Sequence, residues 1–520
     1  MLNRFFGTNT HNHLHVLGLC GIAMGIPFNK VVMSVSMMFI VLNLLLEADF
    51  KTYWKNIRSN RIYTLVFLFI GLHVLAILWT SNLDNAFHDL RVKLPLLVIP
   101  TVLISKPIVK RKYLHIILGT FIASTLLISL INFLFYQQWI GNIDYNDIRG
   151  MSLFSSHVRF ALIVAMAAAI VLYYLKYNRA LLLFAIGLLF WFAFYTFFSQ
   201  VISGIIALAA VFILFMTSLL WQKRKILAIS MLSLICLGLT LLIYWILSPI
   251  QINPDEYKNL PKYTSEGNEY AHSFSHVSPE TGKPLYIYIC YKELTRDWSE
   301  YSEMTFKGKD KKGQPMEETV IRYLASKDLT KDAKGLSKLS EKDILNIEKG
   351  NASVVTYGIL TRLYGLKFEL NNEKDPNGHS LLERIEFWKG GMRILSGNYI
   401  IGVGTGDVQD SFNAYYTQTS SQLLEENRNR SHNMYLTIFL TFGIAGIVLF
   451  IWLHISFISF NVKNNETLAI LFIVIVLSSF LIEDTLETQT GITFYSLFLG
   501  LFSNKIKPAL QKRVKQNNSR

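Results

Sequence analysis

The sequence predicts an all-α polytopic membrane protein of about 12 transmembrane helices, with a large, mainly α extracytoplasmic domain between spans 9 and 10. Three observations lead there. Of the 520 residues, 52% are hydrophobic and only 17% are charged, whereas an ordinary soluble chain is about 25% charged. Apolar runs near the length needed to cross roughly 30 Å of hydrocarbon recur in both terminal parts of the chain. The net charge of +14 is also unevenly spread. Residues 248–431 hold 24 Lys+Arg and 26 Asp+Glu, a net of −2, which leaves 26 basic and 10 acidic residues, a net of +16, in the apolar remainder. The basic excess is therefore a topology signal, and nucleic-acid binding is excluded.

The apolar runs are 14–28, 31–46, 62–79, 92–105, 113–136, 157–175, 180–198, 201–221, 226–247, 434–458, 467–483 and 490–503. Backbone polar groups in lipid need internal partners, so these runs should be helices; the alternating pattern of a barrel is absent. The first, fourth and last are short and could be tilted or re-entrant. One alternating set of connectors carries Lys51, Lys55, Arg58, Arg61; Lys106, Lys110, Arg111, Lys112; Lys176, Arg179; Lys223, Arg224, Lys225; and Lys463, and residues 505–520 add six more bases. The short connectors of the opposite set carry only Arg91, Lys93 and Arg149. By the positive-inside rule both termini of this multi-pass protein are expected in the cytoplasm, with 248–431 outside, in the periplasm if the cell is Gram-negative. The expected organisation is a bundle of about nine spans over 1–247, a periplasmic loop domain over 248–432, about three spans over 433–503 and a basic cytoplasmic tail over 504–520.

Within the outer segment, 285–294 (LYIYICYKEL) reads as a strand or a short amphipathic piece. Residues 328–350 read as helical in parts, with Gly335 and Gly350 as stops. Residues 386–395 read as a helix interrupted by Gly390-Gly391. Cys20, Cys236 and Cys290 fit neither a disulfide framework nor a zinc spacing. The N-terminus lacks a recognisable cleavage site, so the first run is expected to be a retained span. His11, His13 and His15 form a metal-like cluster placed by this reading in a mobile cytoplasmic tail.

Ionisable groups in or beside spans are costly and mark functional sites. Ser431-His432-Asn433 stands where the outer segment re-enters the membrane, followed after nine residues by Gly443 and Gly446. A histidine there can serve as a general base; the alternative is a capping histidine, with glycines that let helices pack closely. His157 and Arg159 open the sixth span, and an arginine fork suits an oxyanion. Arg384 and Trp388 precede Gly402-Val403-Gly404-Thr405-Gly406-Asp407, a loop that could offer N–H groups to an anion or be purely structural. It lacks the strand–helix unit of a dinucleotide site. Glu483, Asp484 and Glu487 could bind a cation or sugar hydroxyls, or hold an arginine.

Around His432 the chain resembles the O-antigen ligase and polymerase superfamily. The family motif is His-(Asn/Ser/Gln), nine residues, Gly, two residues, then Gly, Thr or Tyr; here it reads His432-Asn433, Gly443 and Gly446. The family's large outer loop, its Arg-x-x-x-Trp element and its Gly-Val-Gly-x-Gly turn look like Arg384–Trp388 and Gly402–Gly406. The resemblance is best over about 380–450, and the long outer domain looks like a branch common in Bacteroidetes-type bacteria. It implies a glycosyltransferase-C-like enzyme of lipopolysaccharide biosynthesis that takes a glycan from an undecaprenyl-pyrophosphate carrier. The acceptor hydroxyl would belong to lipid A-core in a ligase, to another glycan in a polymerase, or to a protein in an O-oligosaccharyltransferase.

Carried over to this chain, the resemblance implies His432 as base or acceptor-positioning group and Arg384 as a catalytic pyrophosphate ligand, with Asn433, Gly443, Gly446 and Trp388 supporting. Glu483 and Asp484 join them as supporting residues from the residue reading above, where a merely acidic connector is the alternative. The family's Ser-Arg turn between middle spans is here Ser199-Gln200-Val201-Ile202-Ser203-Gly204, without the arginine; Arg159, with His157, is the expected substitute. Pyrophosphate is already a good leaving group, so fixed arginines and one base suffice. No outer Asp-x-Asp pair is evident, so transfer is expected to need neither metal nor cofactor, and direct displacement would invert the anomeric centre. The other class weighed is a transporter, which would show inverted repeats and broken or charged midplane helices; neither is evident in the sequence.

Overall fold

The computed structural model describes residues 7–108, 110–143, 145, 147–177, 181–356 and 358–504. Arg179 and the basic residues 505–520 lie outside these. The chain divides into two compact units, one of residues 1–229 with 384–520 and one of residues 230–383.

The first unit opens with α1 (Thr8–Phe28), α2 (Lys30–Glu47), α3 (Phe50–Ser59), α4 (Arg61–Leu75, continued as a 3-10 turn to Trp79), α5 (Leu83–Ser105) and α6 (Arg111–Tyr136). It continues with α7 (His157–Tyr177), α8 (Leu182–Phe198) and α9 (Ile202–Lys223), while α10 (Lys225–Leu247) runs across the division. Every one of the twelve apolar runs contains a helix, and the chain is an all-α polytopic membrane protein. Among the described residues seven helices are long and apolar enough to cross a membrane: α2, α4 with its 3-10 extension, α6, α7, α9, α10 and the later helix Met434–Lys463.

Packing follows composition. Helix α7 is buried from Phe160 through Leu172 against α6, α8 and α9, as an all-apolar helix at a bundle centre should be. Helix α3 is an unanticipated element in a basic connector, capped by Asp49 and amphipathic, with Tyr53 buried and Trp54 exposed. Helix α5 starts nine residues before its apolar run, because the Asn82 side chain accepts from the Asn85 N–H and caps it there. The polar turns this adds carry Asp89 and Lys93. The N-terminal histidines are not in a tail: His11 and His15 are buried within α1, and His11 Nδ1 meets Asn43 Oδ1 at 2.8 Å.

The second unit holds β1 (Ala271–Val277) and β2 (Pro284–Ile289), an antiparallel pair with Ala271 opposite Ile289 and Val277 opposite Pro284. Helices α11 (Tyr291–Tyr301), α12 (Met316–Ser326), α13 (Ala333–Leu336), α14 (Glu341–Glu348) and α15 (Gly358–Asn372) follow. Leu294, Trp298, Val320, Leu324, Leu336 and Phe368 form its core with Leu285 and Ile289. Of the two expected glycine stops, one needs correction. Gly350 does end α14, at φ +74°, but Gly335 lies inside α13, where a Cβ would sit 1.7 Å from the Thr330 carbonyl oxygen.

Helix α16 (Ser380–Asn398) begins at the division, and α17 (Val408–Gln418), α18 (Met434–Lys463), α19 (Thr467–Ser479) and α20 (Gln489–Phe502) complete the first unit. Gly390 and Gly391 do not interrupt α16. They are flat spots where a Cβ would come within 2.9 Å of the Tyr415 ring and 2.7 Å of Leu436. Phe387, Leu395, Phe412 and Tyr416 cluster with Leu440 of α18. That shared core groups 384–432 with the membrane helices rather than with residues 230–383.

Candidate active site

Helix α18 is not one rod. At Gly443 the backbone turns to φ +62°, ψ −154°, a region essentially reserved for glycine. The break frees backbone groups that need partners, and the 399–404 segment supplies them. Val403 N–H donates to Leu440 O at 2.8 Å, Gly404 N–H to Thr441 O at 3.0 Å, and Ile444 N–H to Tyr399 O at 2.9 Å. The approach leaves no room for side chains: a Cβ on Gly443 would lie 2.2 Å from Ile400 O, and one on Gly402 2.4 Å from the Thr441 carbonyl. The two glycine motifs are therefore halves of one joint.

This decides between the alternatives for the loop and the glycines, and corrects one expectation. The N–H groups of Val403 and Gly404 are committed to helix carbonyls, so the loop is not an anion cradle there. Gly443 marks a helix break rather than a face for another span, and Gly446 accommodates Phe442 across it, with a Cβ meeting Phe442 Cβ at 2.3 Å. A broken helix, absent from the sequence reading, is present. Beyond the break, 444–463 still covers about 30 Å. The loop is pinned on its far side, where the Asp407 carboxylate accepts from Ser81 N–H at 2.7 Å and Asn82 N–H at 2.8 Å, and Thr405 Oγ1 donates to His73 O at 2.8 Å.

His432 immediately precedes this jointed helix. Its neighbours are tied down. Trp388 Nε1–H donates to Ser431 O at 3.0 Å, Ser431 Oγ meets Thr437 Oγ1 at 2.7 Å, and Asn433 Nδ2 donates to Leu481 O at 3.1 Å. Asn433, not His432, caps α18 by accepting from Leu436 N–H at 3.0 Å. His432 itself sits at φ +46°, a left-handed conformation costing about 1–3 kcal/mol in a non-glycine residue. Its ring lies 5.6 Å from that of Phe387, and its Nδ1 is buried with no hydrogen-bond partner among the described residues.

The 480–488 connector between α19 and α20 brings three carboxylates to the same end, each in a different situation. Glu483 accepts from Arg159 Nη2 at 2.9 Å, and the Arg159 Nε is buried without a partner among the described residues. Glu487 lies 3.0 Å from Lys93 Nζ and 3.4 Å from Arg430 Nη1, which is itself 3.7 Å from Asp89. Burial alone would raise Glu487, but Lys93 and Arg430 outweigh it and hold the carboxyl below its ordinary range. Asp484 makes no ion pair among the described residues; it accepts from Thr437 Oγ1 at 2.7 Å. Burial pushes it up to about 6, against the Thr437 hydrogen bond and the nearby His432.

The structure thus gathers His432, Asn433, Trp388, Glu483, Asp484 and Arg159 at one end of the bundle, with Gly443 and Gly446 forming the joint beneath. Arg384 stands on α16 one turn before Trp388, on the same face. His157 is the first residue of α7, two before Arg159. Sequence reasoning missed Arg430, Asp89 and the pairing of Lys93. A signal existed: Asp89 and Lys93 are spaced i, i+4 at the mouth of an apolar run.

No curated protein matches the chain. A family model described as O-antigen ligase matches residues 351–451, a segment that includes Arg384, Trp388, the 402–407 loop, His432 and both motif glycines. Over this stretch, about a fifth of its length, the chain is similar to the O-antigen ligase family.

Proposed function

We propose that the chain is an O-antigen ligase of the bacterial inner membrane, with both termini cytoplasmic and His432 on the periplasmic face. It moves a glycan from undecaprenyl pyrophosphate to a hydroxyl of lipid A-core. The observation that carries this reading is His432: a strained residue at a membrane entrance, braced on both sides, with a buried Nδ1 that no described residue hydrogen-bonds. A neutral imidazole accepts the acceptor hydroxyl's proton as that oxygen bonds to the anomeric carbon. The bond from that carbon to pyrophosphate breaks, and undecaprenyl pyrophosphate leaves with the electron pair, inverting the centre. Such a base contributes on the order of 10²–10⁴-fold.

Arg384 and Arg159, with His157, hold the leaving pyrophosphate. The unpartnered Nε of Arg159 supports this role, since Glu483 occupies only one edge of the guanidinium. Asp484, uncommitted to any cation, stabilises the imidazolium that forms on His432. The arginines supply the charge compensation, and chelators should leave the rate unchanged.

The test is transfer in membranes given a defined undecaprenyl-pyrophosphate glycan and a lipid A-core acceptor. His432→Ala should abolish turnover, and unchanged turnover refutes the mechanism. The acceptor is read from a deletion strain: loss of all polymer on the core marks a ligase, and single-unit bands mark a polymerase. Loss of protein glycans with a normal lipopolysaccharide ladder marks a protein O-oligosaccharyltransferase.

A further inference from the structure

At the end of the same unit opposite His432, Arg61 opens α4 and Lys463 closes α18, so both cations mark one membrane boundary. Between the two helix ends lies a cavity of about 440 Å³ lined by Arg61, Trp452, Ser456, Ser459 and Lys463, with Ile455 beside them. Trp452, Ser456, Ser459 and Lys463 are spaced four, three and four residues apart, a single stripe along α18.

The stripe is chemically unspent. Among the described residues neither Arg61 nor Lys463 forms an ion pair, whereas Lys106 at the same boundary is paired with Glu47 at 2.5 Å. The Arg61 guanidinium lies 5.6 Å from the Trp452 ring centroid, which orients it without neutralising it. Serines inside apolar helices usually return their hydroxyl to the helix backbone, as Ser129 and Ser218 do here at 2.8 and 2.7 Å. Ser456 and Ser459 have no such bond among the described residues. No carboxylate lines the cavity. Its membrane side is apolar, with Trp452 and Ile455 about half exposed.

We propose that this cavity is a binding site for the phosphodiester headgroup of an anionic phospholipid, of the phosphatidylglycerol type. The two cations bracket the phosphate at headgroup depth. The serine hydroxyls, one to two turns further into the span, donate to glycerol and ester oxygens, and an acyl chain runs along Trp452 and Ile455. A free phosphate would satisfy the cations alone. It would leave the deeper hydroxyls and the apolar wall without purpose, so the lipid is the occupant that uses every feature.

The experiment is native mass spectrometry of the full-length chain in mild detergent, titrated with phosphatidylglycerol or phosphatidylcholine. Wild type should retain phosphatidylglycerol preferentially, by about fivefold for each cation engaged. Arg61→Gln with Lys463→Gln should reduce retention to the phosphatidylcholine level, while Arg61→Lys should keep most of it. If the double variant melts early, Ser456→Ala with Ser459→Ala is read instead and should weaken retention without altering the melt. Equal retention of the two lipids by wild type, or undiminished phosphatidylglycerol binding in the variants, overturns the site. Displacement of the lipid by millimolar inorganic phosphate reassigns it to a free anion and overturns the lipid claim.

Discussion

Gly443→Ala should do more damage than a buried methyl group normally can. The alanine must adopt φ +62°, ψ −154°, which costs a non-glycine residue about 1–3 kcal/mol. Its Cβ would lie 2.2 Å from Ile400 O, 2.3 Å from Ile400 C and 2.6 Å from Ile401 N. All three atoms are backbone, so no rotamer change relieves the contact. The 399–404 segment has to retreat, and with it go the bonds from Val403 to Leu440, Gly404 to Thr441 and Ile444 to Tyr399. At about 1 kcal/mol net for each, the total reaches about 4–6 kcal/mol, beyond the usual range of point substitutions.

The measurement is thermal unfolding of the detergent-purified chain, followed by intrinsic fluorescence, beside glycan transfer in membranes. Gly397→Ala is the internal control, since it lies in α16 with open space around it and should gain up to about 1 kcal/mol of helix stability. Gly443→Ala should melt at least ~5 °C below wild type and lose transfer, because the joint sits directly beneath His432. A melt within a degree or two of the Gly397→Ala control would refute the account of the joint.

The other expectations concern the groups around His432. The Asp484 carboxyl sits at about 6, above the ordinary value near 4, so the native state binds that proton more tightly than the unfolded chain. Its contribution to stability is full below about pH 4 and is lost as the pH rises through 6; Asp484→Asn should remove that loss, up to about 3 kcal/mol, and melting curves that stay parallel to wild type between pH 4.5 and 7.5 would contradict it. Glu487→Gln leaves Lys93 and Arg430 without their shared carboxylate and should cost about 3–5 kcal/mol. Adding Lys93→Met should recover part of the lost melting temperature, and simple additivity of the two changes would argue against a network. Trp388→Phe strips the donor from Ser431 O, costs about 1–3 kcal/mol, and should lower kcat by roughly tenfold or more through His432 misplacement; an unchanged kcat would detach the indole from positioning.

Periodicity and charge made the helices legible, because a span must satisfy its own backbone and its flanking cations are local features. The same local reading placed the start of α5 too late: the Asn82 cap acts through a polar turn that a hydropathy window discards. It also split what the fold joins. Gly402–Gly406 and Gly443 are separated by some forty residues, and nothing in either stretch announces that the N–H groups of one close the broken carbonyls of the other. His432 stood out in the sequence through the motif it opens, which resembles a known family's; the backbone and its partners add the left-handed turn and the buried Nδ1. Arg430 was not, since one arginine in a polar loop looks like any other until Asp89 and Glu487 arrive from distant helices.

That hidden pairing bears on how the site can work. Removing charges from water at a bundle end is costly unless they are compensated, and here three cations, Arg159, Lys93 and Arg430, face three carboxylates, Glu483, Glu487 and Asp89. The six cancel. Their sum is close to zero and the pairs fix the 430–434 turn and the 480–488 connector, while among the described residues the Arg159 Nε keeps no partner and is left for an oxyanion. Asp484 and His432 stand outside these pairs, one held by a hydroxyl and the other by its backbone and an aromatic face. A proton taken up by His432 would meet a carboxyl still able to ionise, at the point where the positive charge appears. Pairing these six charges with one another leaves this couple as a place where transfer of a single proton alters the local field.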